Sequence, residues 1–328
     1  MSGEVLRAPT LEDVARQAGV SRATVARVLS GSTRVSTGTR ERVERVAAEL
    51  DYIPNAAARA LASGQGTHLV IGKVVWGGYP LVDDYLARVI AAVANECTPH
   101  GLGVGVRAIA TDSTDPLSGL AQDRAVRGVI LVGASHALLQ AVPRSLAGRI
   151  ASIGEASPRV PLVDIDSGSG SAALVTHLLA SGRSRIAMIT GAPWLPCSAR
   201  AVREYRRAMV AAGLEPRIVR GKINSSDGRA ATAEILNRWR DVDAVYAAFD
   251  ELAFGALAEL RARGIDVPGA VAVAGFGDTS GAELLDLTTG THPVEAIAAA
   301  AARTVLDGSS RRPDDQWFPT EPVLRRTA

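Results

Sequence analysis

TLEDVARQAGVSRATVARVLSG, residues 10–31, has the grammar of two short helices crossed at a tight turn. Thr10 is placed to cap the first helix with Asp13 three residues on, and Leu11, Val14 and Ala15 then share one apolar stripe. Gly19 permits the turn. Ser21 caps a second helix whose Val25, Val28 and Leu29 face inward, which leaves Arg22, Ala23, Ala26 and Arg27 on the outer side before Gly31 ends it. The pattern predicts a helix-turn-helix, the motif that lays its second helix in the major groove of DNA.

The residues that follow extend the motif. Val35-Ser36-Thr37-Gly38-Thr39-Arg40 opens a third helix with Val43, Val46, Ala47 and Leu50 on its inner face, and Asp51-Tyr52-Ile53-Pro54-Asn55 leads into an alanine-rich segment, residues 56–62. From Thr10 to Ser63, almost without a gap, this resembles the headpiece of bacterial repressors of the lac-repressor (LacI/GalR) family. The resemblance implies a homodimeric regulator, a repressor, on a pseudo-palindromic operator in double-stranded DNA. Arg22, Ala23 and Arg27 then stand at the base-contacting positions, and Thr10, Ser21, Ser36 and Thr39 at positions that hold phosphates. Arginine reads guanine through O6 and N7, so a G·C pair is expected opposite Arg22.

Charge is distributed as such a protein requires. Up to Gly66 the arginines 7, 16, 22, 27, 34, 40, 42, 45 and 59 face the acids Glu4, Glu12, Asp13, Glu41, Glu44, Glu49 and Asp51, so the whole net charge of +2 sits there and the remainder is neutral. With 47% hydrophobic and 21% charged residues over 328 positions, the chain is expected to build two or three globular units. It contains no apolar run of about 18 residues and no signal-peptide core at its start, which leads to the expectation of a cytoplasmic, nucleoid-associated protein without a membrane partner. Cys97 and Cys197 stand alone, without metal-ligand spacing, so neither a metal nor a cofactor is expected.

Asn55 can cap a helix of about seven residues ending near Gly66, too short to persist by itself in water. By the resemblance this is a hinge helix that forms on the operator, with Asn55, Ala58 and Leu61 at the minor groove and Leu61 as the apolar wedge. Packing of Leu61 against the larger domain is the other reading. The expected division is therefore residues 1–54 for DNA binding, 55–66 for the hinge, and 67–328 for effector binding and dimerisation.

From His68 on, apolar β-rich runs alternate with helical ones: Leu69–Val75, Leu102–Ile109, Gly128–Val132, Ile150–Ile153, Arg185–Thr190, Ala244–Ala248 and Ala270–Gly275 read as buried strands, with helices such as Leu81–Glu96 and Ala199–Ala212 between them. This is the βαβ rhythm of parallel, doubly wound α/β sheets. It restarts near Ser171 after an extended stretch, Leu162–Asp166. The resemblance implies a periplasmic-binding-protein type I architecture of two lobes, about 67–167 with 291–317 and about 168–290 with 318–328, and a small-molecule effector in the cleft between them. Val323 to Ala328 follow the expected last strand directly and show no heptad pattern, so no coiled-coil tail for tetramer assembly is expected.

Carried over one position at a time, the family's effector contacts change in one direction. The loop after the first strand is Trp76-Gly77-Gly78-Tyr79-Pro80-Leu81, and an aspartate after the strand ending at Ile153 is Gly154 with Glu155 beside it. The sugar-binding arginine, four residues before Tyr205, falls on Ala201, with Arg200 as the neighbouring substitute. An Asn-Asp pair becomes Phe249-Asp250, and Gly-Phe-Asp-Asp becomes Gly275-Phe276-Gly277-Asp278. Each hydroxyl partner lost costs about 1–3 kcal/mol, so a simple hexose is a poor fit. Trp76, Tyr79, Trp194, Ile223 and Phe249 are expected to make an apolar or stacking cleft, with Arg200, Asp278 and His292 as polar contacts. The plainer alternatives are that Trp194 covers surface, that Asp250 and Asp278 cap helices, and that the regulator answers to no small molecule.

An enzyme is the remote alternative. Gly133-Ala134-Ser135-His136-Ala137 faintly resembles the nucleophile elbow of an α/β hydrolase, but the second glycine is missing. Gly101-Leu102-Gly103-Val104-Gly105 enters a strand instead of leaving one for a helix, so it is no dinucleotide fingerprint. His292-Pro293-Val294-Glu295 offers two metal-capable residues without a third. A secreted solute receptor would share the large domain but would carry an export signal where this chain has Arg22 and Arg27.

Overall fold

Residues 9–29, 35–52, 66–75, 83–110, 115–308 and 312–328 are described by the computed structural model, and the chain divides into two units, Met1–Thr67 and His68–Ala328. The first unit contains α1 (Leu11–Ala18), α2 (Arg22–Leu29) and α3 (Thr37–Glu49). Thr10 and Asp13 form a reciprocal capping box at the start of α1, and Gly19 ends that helix in the left-handed region at φ 63°. The Thr24 amide donates to Ser21 Oγ at 3.1 Å, which caps α2. Val14, Ala15, Ala18, Val25, Val28, Val43, Val46 and Ala47 are buried together, with Leu11, Leu29, Leu50 and Tyr52 packed on their rim. The inward faces expected from the spacing are thus the faces that meet.

The second unit runs β1 (His68–Val75), α4 (Asp84–Cys97), β2 (Gly103–Ala110), α5 (Ser118–Gln122), β3 (Val126–Val132), α6 (His136–Gln140), β4 (Ile150–Ile153), β5 (Val163–Ile165), α7 (Ser167–Ala180), β6 (Ile186–Thr190), α8 (Pro196–Ala211), β7 (Arg217–Arg220), α9 (Ser225–Arg238), β8 (Ala244–Ala247), α10 (Asp250–Ala262), β9 (Ala272–Ala274), α11 (Ser280–Leu284), β10 (Thr289–Gly290), α12 (Val294–Leu306), β11 (Gln316–Phe318) and β12 (Pro322–Val323). Two four-stranded sheets have the orders β2-β1-β3-β4 and β7-β6-β8-β9, and every pairing within them is parallel. Each sheet therefore reverses its winding between its first and third strands, β1 and β3 in one lobe and β6 and β8 in the other. β7 is not marked by the sequence pattern, because it is a short edge strand, Arg-Ile-Val-Arg, charged at both ends and only partly buried.

The chain passes between the sheets three times. β5 pairs with β11, and a bridge from Ser152 to Leu162 joins that pair to the first sheet. β10 pairs with β12, and a bridge from Ala274 to Thr288 joins that pair to the second. Where the passages run side by side they are tied together: the Asp166 amide donates to the Phe318 carbonyl, Thr320 Oγ1 to the Asp166 carbonyl, and the Glu321 amide to Thr291 Oγ1.

In the second lobe, α9 and α10 touch backbone to backbone at Gly228 and Gly255. A methyl group on Gly255 would collide with the Ser225 carbonyl oxygen and the Arg229 amide nitrogen, neither of which can turn aside. Gly255→Ala is expected to cost about 3 kcal/mol in denaturant unfolding. A loss under about 0.5 kcal/mol would show that the two helices part freely.

Candidate functional site

In the first unit the outer side of α2 presents Arg22, Ala23, Ala26 and Arg27, all exposed. Arg22 Nη1 reaches Glu12 Oε1 at 3.3 Å with both side chains open to water, a pairing of little worth that does not hold the guanidinium in place. The four hydroxyls expected at phosphates all stand at helix N-termini. Thr10 is held in the α1 capping box, Ser21 caps α2, and Ser36 Oγ donates to Thr39 Oγ1 at 2.9 Å at the start of α3. Helix N-termini carry unpaired amides and partial positive charge, which suits them to anionic oxygens. Asn55, Ala58 and Leu61 lie outside the described residues.

In the second unit a parallel sheet offers chemistry at the carboxyl ends of its strands, next to the point where the winding reverses. In the second lobe that point lies between Thr190, at the end of β6, and Phe249, just after β8. Gly191 allows a close approach here. A Cβ on it would lie 2.9 Å from Ser198 Oγ, 3.2 Å from Phe249 Cε2 and 3.5 Å from Ile223 Cγ1, so these three side chains gather around one glycine. Thr190 and Ser198 are fully buried, and neither hydroxyl has a hydrogen-bond partner. An orphaned buried hydroxyl costs about 1–3 kcal/mol. Sequence reasoning missed both residues. The available signal was a threonine closing an apolar run and a serine in the first turn of a helix, α8, whose N-cap is leucine.

The charged residues expected in the cleft are already occupied. Arg200 Nη2 donates to Asp164 Oδ2 at 2.5 Å, Nη1 to the Gly154 carbonyl at 3.0 Å and Nε to Ser167 Oγ at 2.8 Å. Its guanidinium lies 5.7 Å from the centre of the Trp317 ring. Burial pushes the Asp164 carboxyl above its ordinary range, against the pull of Arg200 and a backbone amide. Asp278 pairs with Arg325 at 2.7 Å. Asp250 is fully buried and accepts from Thr289 Oγ1 at 2.6 Å and from the Thr279 amide at 2.9 Å, and burial pushes its carboxyl up.

His292 packs at 5.3 Å against the Tyr85 ring, and its Nε2 is buried without a partner. Burial, with Arg88 and Arg200 nearby, pushes its pKa down to about 4, so the imidazole is neutral at neutral pH. Trp194 is half-buried in the loop before α8, while Trp76 and Tyr79 lie outside the described residues. Ser135, the nucleophile of the hydrolase alternative, accepts from the Leu138 amide as the N-cap of α6, and the His136 ring meets Gln140. Among the described residues no group of three or more His, Cys, Asp or Glu side chains could hold a metal, and no helix is long and apolar enough to cross a membrane.

Comparison with known proteins covers both units. The family described as bacterial regulatory proteins, lacI family, matches residues 10–55, and the periplasmic binding protein-like domain matches residues 175–328. The HTH-type transcriptional regulator CelR of Thermobifida fusca is 34% identical over 317 residues, 92% of each chain. GalR of Escherichia coli (strain K12) is 29% identical over 93% of this chain and 90% of its own. Among solved structures, the lac repressor dimer bound to operator and the anti-inducer ONPF aligns with a TM-score of 0.84 at 25% identity, over 98% of this chain and 99% of that one. A CelR–cellobiose complex aligns with a TM-score of 0.68 at 30% identity, over 98% of this chain and 100% of that one.

Proposed function

The chain belongs to the lacI family of bacterial regulatory proteins, DNA-binding transcriptional regulators with an effector domain, and we propose from that membership that it is a homodimeric repressor of a pseudo-palindromic operator. The observation that carries this is the exposed Arg22-Ala23-Ala26-Arg27 side of α2, whose opposite side, Val25 and Val28, is buried in the headpiece core. Arg22, Ala23 and Arg27 read base edges, while Thr10, Ser21, Ser36 and Thr39 hold phosphates and set register. Two-fold symmetry doubles the few contacts a single headpiece offers. Residues 55–66 serve as the hinge, with Asn55, Ala58 and Leu61 at the minor groove. As a DNA-binding protein it works in the cytoplasm, at the nucleoid.

The effector is an uncharged molecule other than a simple hexose, held at the carboxyl ends of β6 and β8. Among the described residues Arg200, Asp164, Asp250 and Asp278 are paired within the protein and His292 is neutral, and the buried polar atoms without a partner include the Thr190 and Ser198 hydroxyls, the latter gathered with Ile223 and Phe249 around Gly191. An ionised ligand would lose its water there, and Arg220, which donates to the Gly191 carbonyl at 3.3 Å, is exposed and a weak counter-charge. The relative CelR was solved with cellobiose, an uncharged molecule of this kind.

Arg22→Ala is expected to weaken operator binding by about 1–3 kcal/mol and relax preference at one base pair, as read by selection from randomised duplexes; an unchanged sequence preference would remove Arg22 from the base contacts. In a thermal-shift panel of cellobiose, glucose, gluconate and glucose 6-phosphate, only cellobiose should raise the melting temperature. Thr190→Val with Ser198→Ala should abolish that rise. Stabilisation by gluconate, by the phosphate ester or by glucose itself would overturn the reading of the cleft.

A further inference from the structure

Arg200 sits on α8 in the second lobe, yet two of its three hydrogen bonds end in the first. The Gly154 carbonyl follows β4, and Asp164 lies on β5, which is joined through Leu162 and Ser152 to the same sheet. The third bond ends on Ser167, the first residue of α7, where the chain enters the second lobe. Trp317 of β11 lies against the guanidinium from another passage between the sheets. One side chain therefore gathers the end of β4, two of the three passages and the helix that carries Ser198, two residues ahead of it.

The pair is costly to part. The side chains are 15% exposed for Arg200 and 6% for Asp164, so moving α8 away from β4 would leave a carboxylate in a dry site without its counter-charge. Lobe rotation about the passages has to break these bonds or carry all their partners together. Three of the five guanidinium N–H donors, one on each nitrogen, are spent within the protein.

We propose that Arg200 and Asp164 form a latch between the two lobes, positioning residues that set the lobe arrangement and through it the operator affinity of the unliganded protein. The proposal rests on the operator-binding reading above. It makes Arg200 a determinant of the response and not an effector contact: the latch fixes where Ser198 stands beside Gly191 and how readily the lobes rotate when the cleft fills.

The test uses full-length protein and a duplex that the wild-type protein selects from a randomised library. Asp164→Asn and Arg200→Lys each release the same restraint, so both should shift operator Kd in the same direction by at least about fivefold. The double variant should go no further than the larger single shift, because one interaction is lost only once. Ser167→Ala removes one acceptor without stranding a charge, and should give a smaller shift of the same sign. It and Arg200→Lys carry the test if Asp164→Asn does not fold. Amide hydrogen exchange in residues 154–167 and 316–321 should quicken in each folded variant. Kd values within about twofold of wild type beside a lowered melting temperature would reduce the pair to a structural role. Shifts of opposite sign, additive shifts or unchanged exchange would also overturn the latch. If the wild-type protein retains no duplex at all, the operator-binding reading fails, and the exchange measurement alone then decides on the latch.

Discussion

A parallel sheet covered by helices on both faces leaves the ends of its strands as the place to meet a ligand, and the second unit obeys this constraint twice. The two sheets have the same winding order, so each carries a reversal point, and in the second lobe the side chains around Gly191 meet at that point. Thr190 and Ser198 keep buried hydroxyls there at a cost in stability that the fold itself does not recover. They are polar groups on which the proposed effector site draws, and Ser152 Oγ and His177 Nε2 are buried in the same state in this unit.

Electrostatics bears on what the proposed site would take. Buried charge persists only when paired, and the acids and arginine at the strand ends have found partners within the chain: Asp164 with Arg200, Asp278 with Arg325, and Asp250 with threonine hydroxyls and an amide. Burial at His292 works in the same sense by holding the imidazole neutral. Around Gly191 stand the Ser198 hydroxyl, the apolar Ile223 and Phe249, and Arg220, whose Nη1 donates to the Gly191 carbonyl at 3.3 Å, while in the headpiece Arg22 and Arg27 are exposed on α2. In the function proposed above, DNA falls to the first unit and the small molecule to the second.

The headpiece was legible in the sequence because its signals are local. Thr10 and Asp13 are three residues apart, Gly19 marks its own turn, and the inward valines follow helical spacing. The central strands were legible as apolar runs, but β2, read as buried from its valines and isoleucine, is an edge strand in which Ile109 alone is buried, and β7 was missed because its edge position lets arginine stand at both ends. The cleft was harder to read. Arg200 and Asp278 carry the chemistry of ligand contacts, and their real partners lie 36 and 47 positions away, at separations that no short-range pattern encodes. Thr190 and Ser198 look ordinary in the sequence and stand out only because the fold buries both hydroxyls without a partner.

The central claim is that paired headpieces dock on duplex DNA through α2 and the N-termini of the surrounding helices. Titrating the full-length chain onto a pseudo-palindromic duplex of its own selection, with salt raised from about 50 to 200 mM, tests it most directly. Two chains per duplex and an affinity that falls about a thousandfold over that range are predicted, because each phosphate contact releases a counterion. One chain per duplex, or an affinity indifferent to salt, would contradict the account.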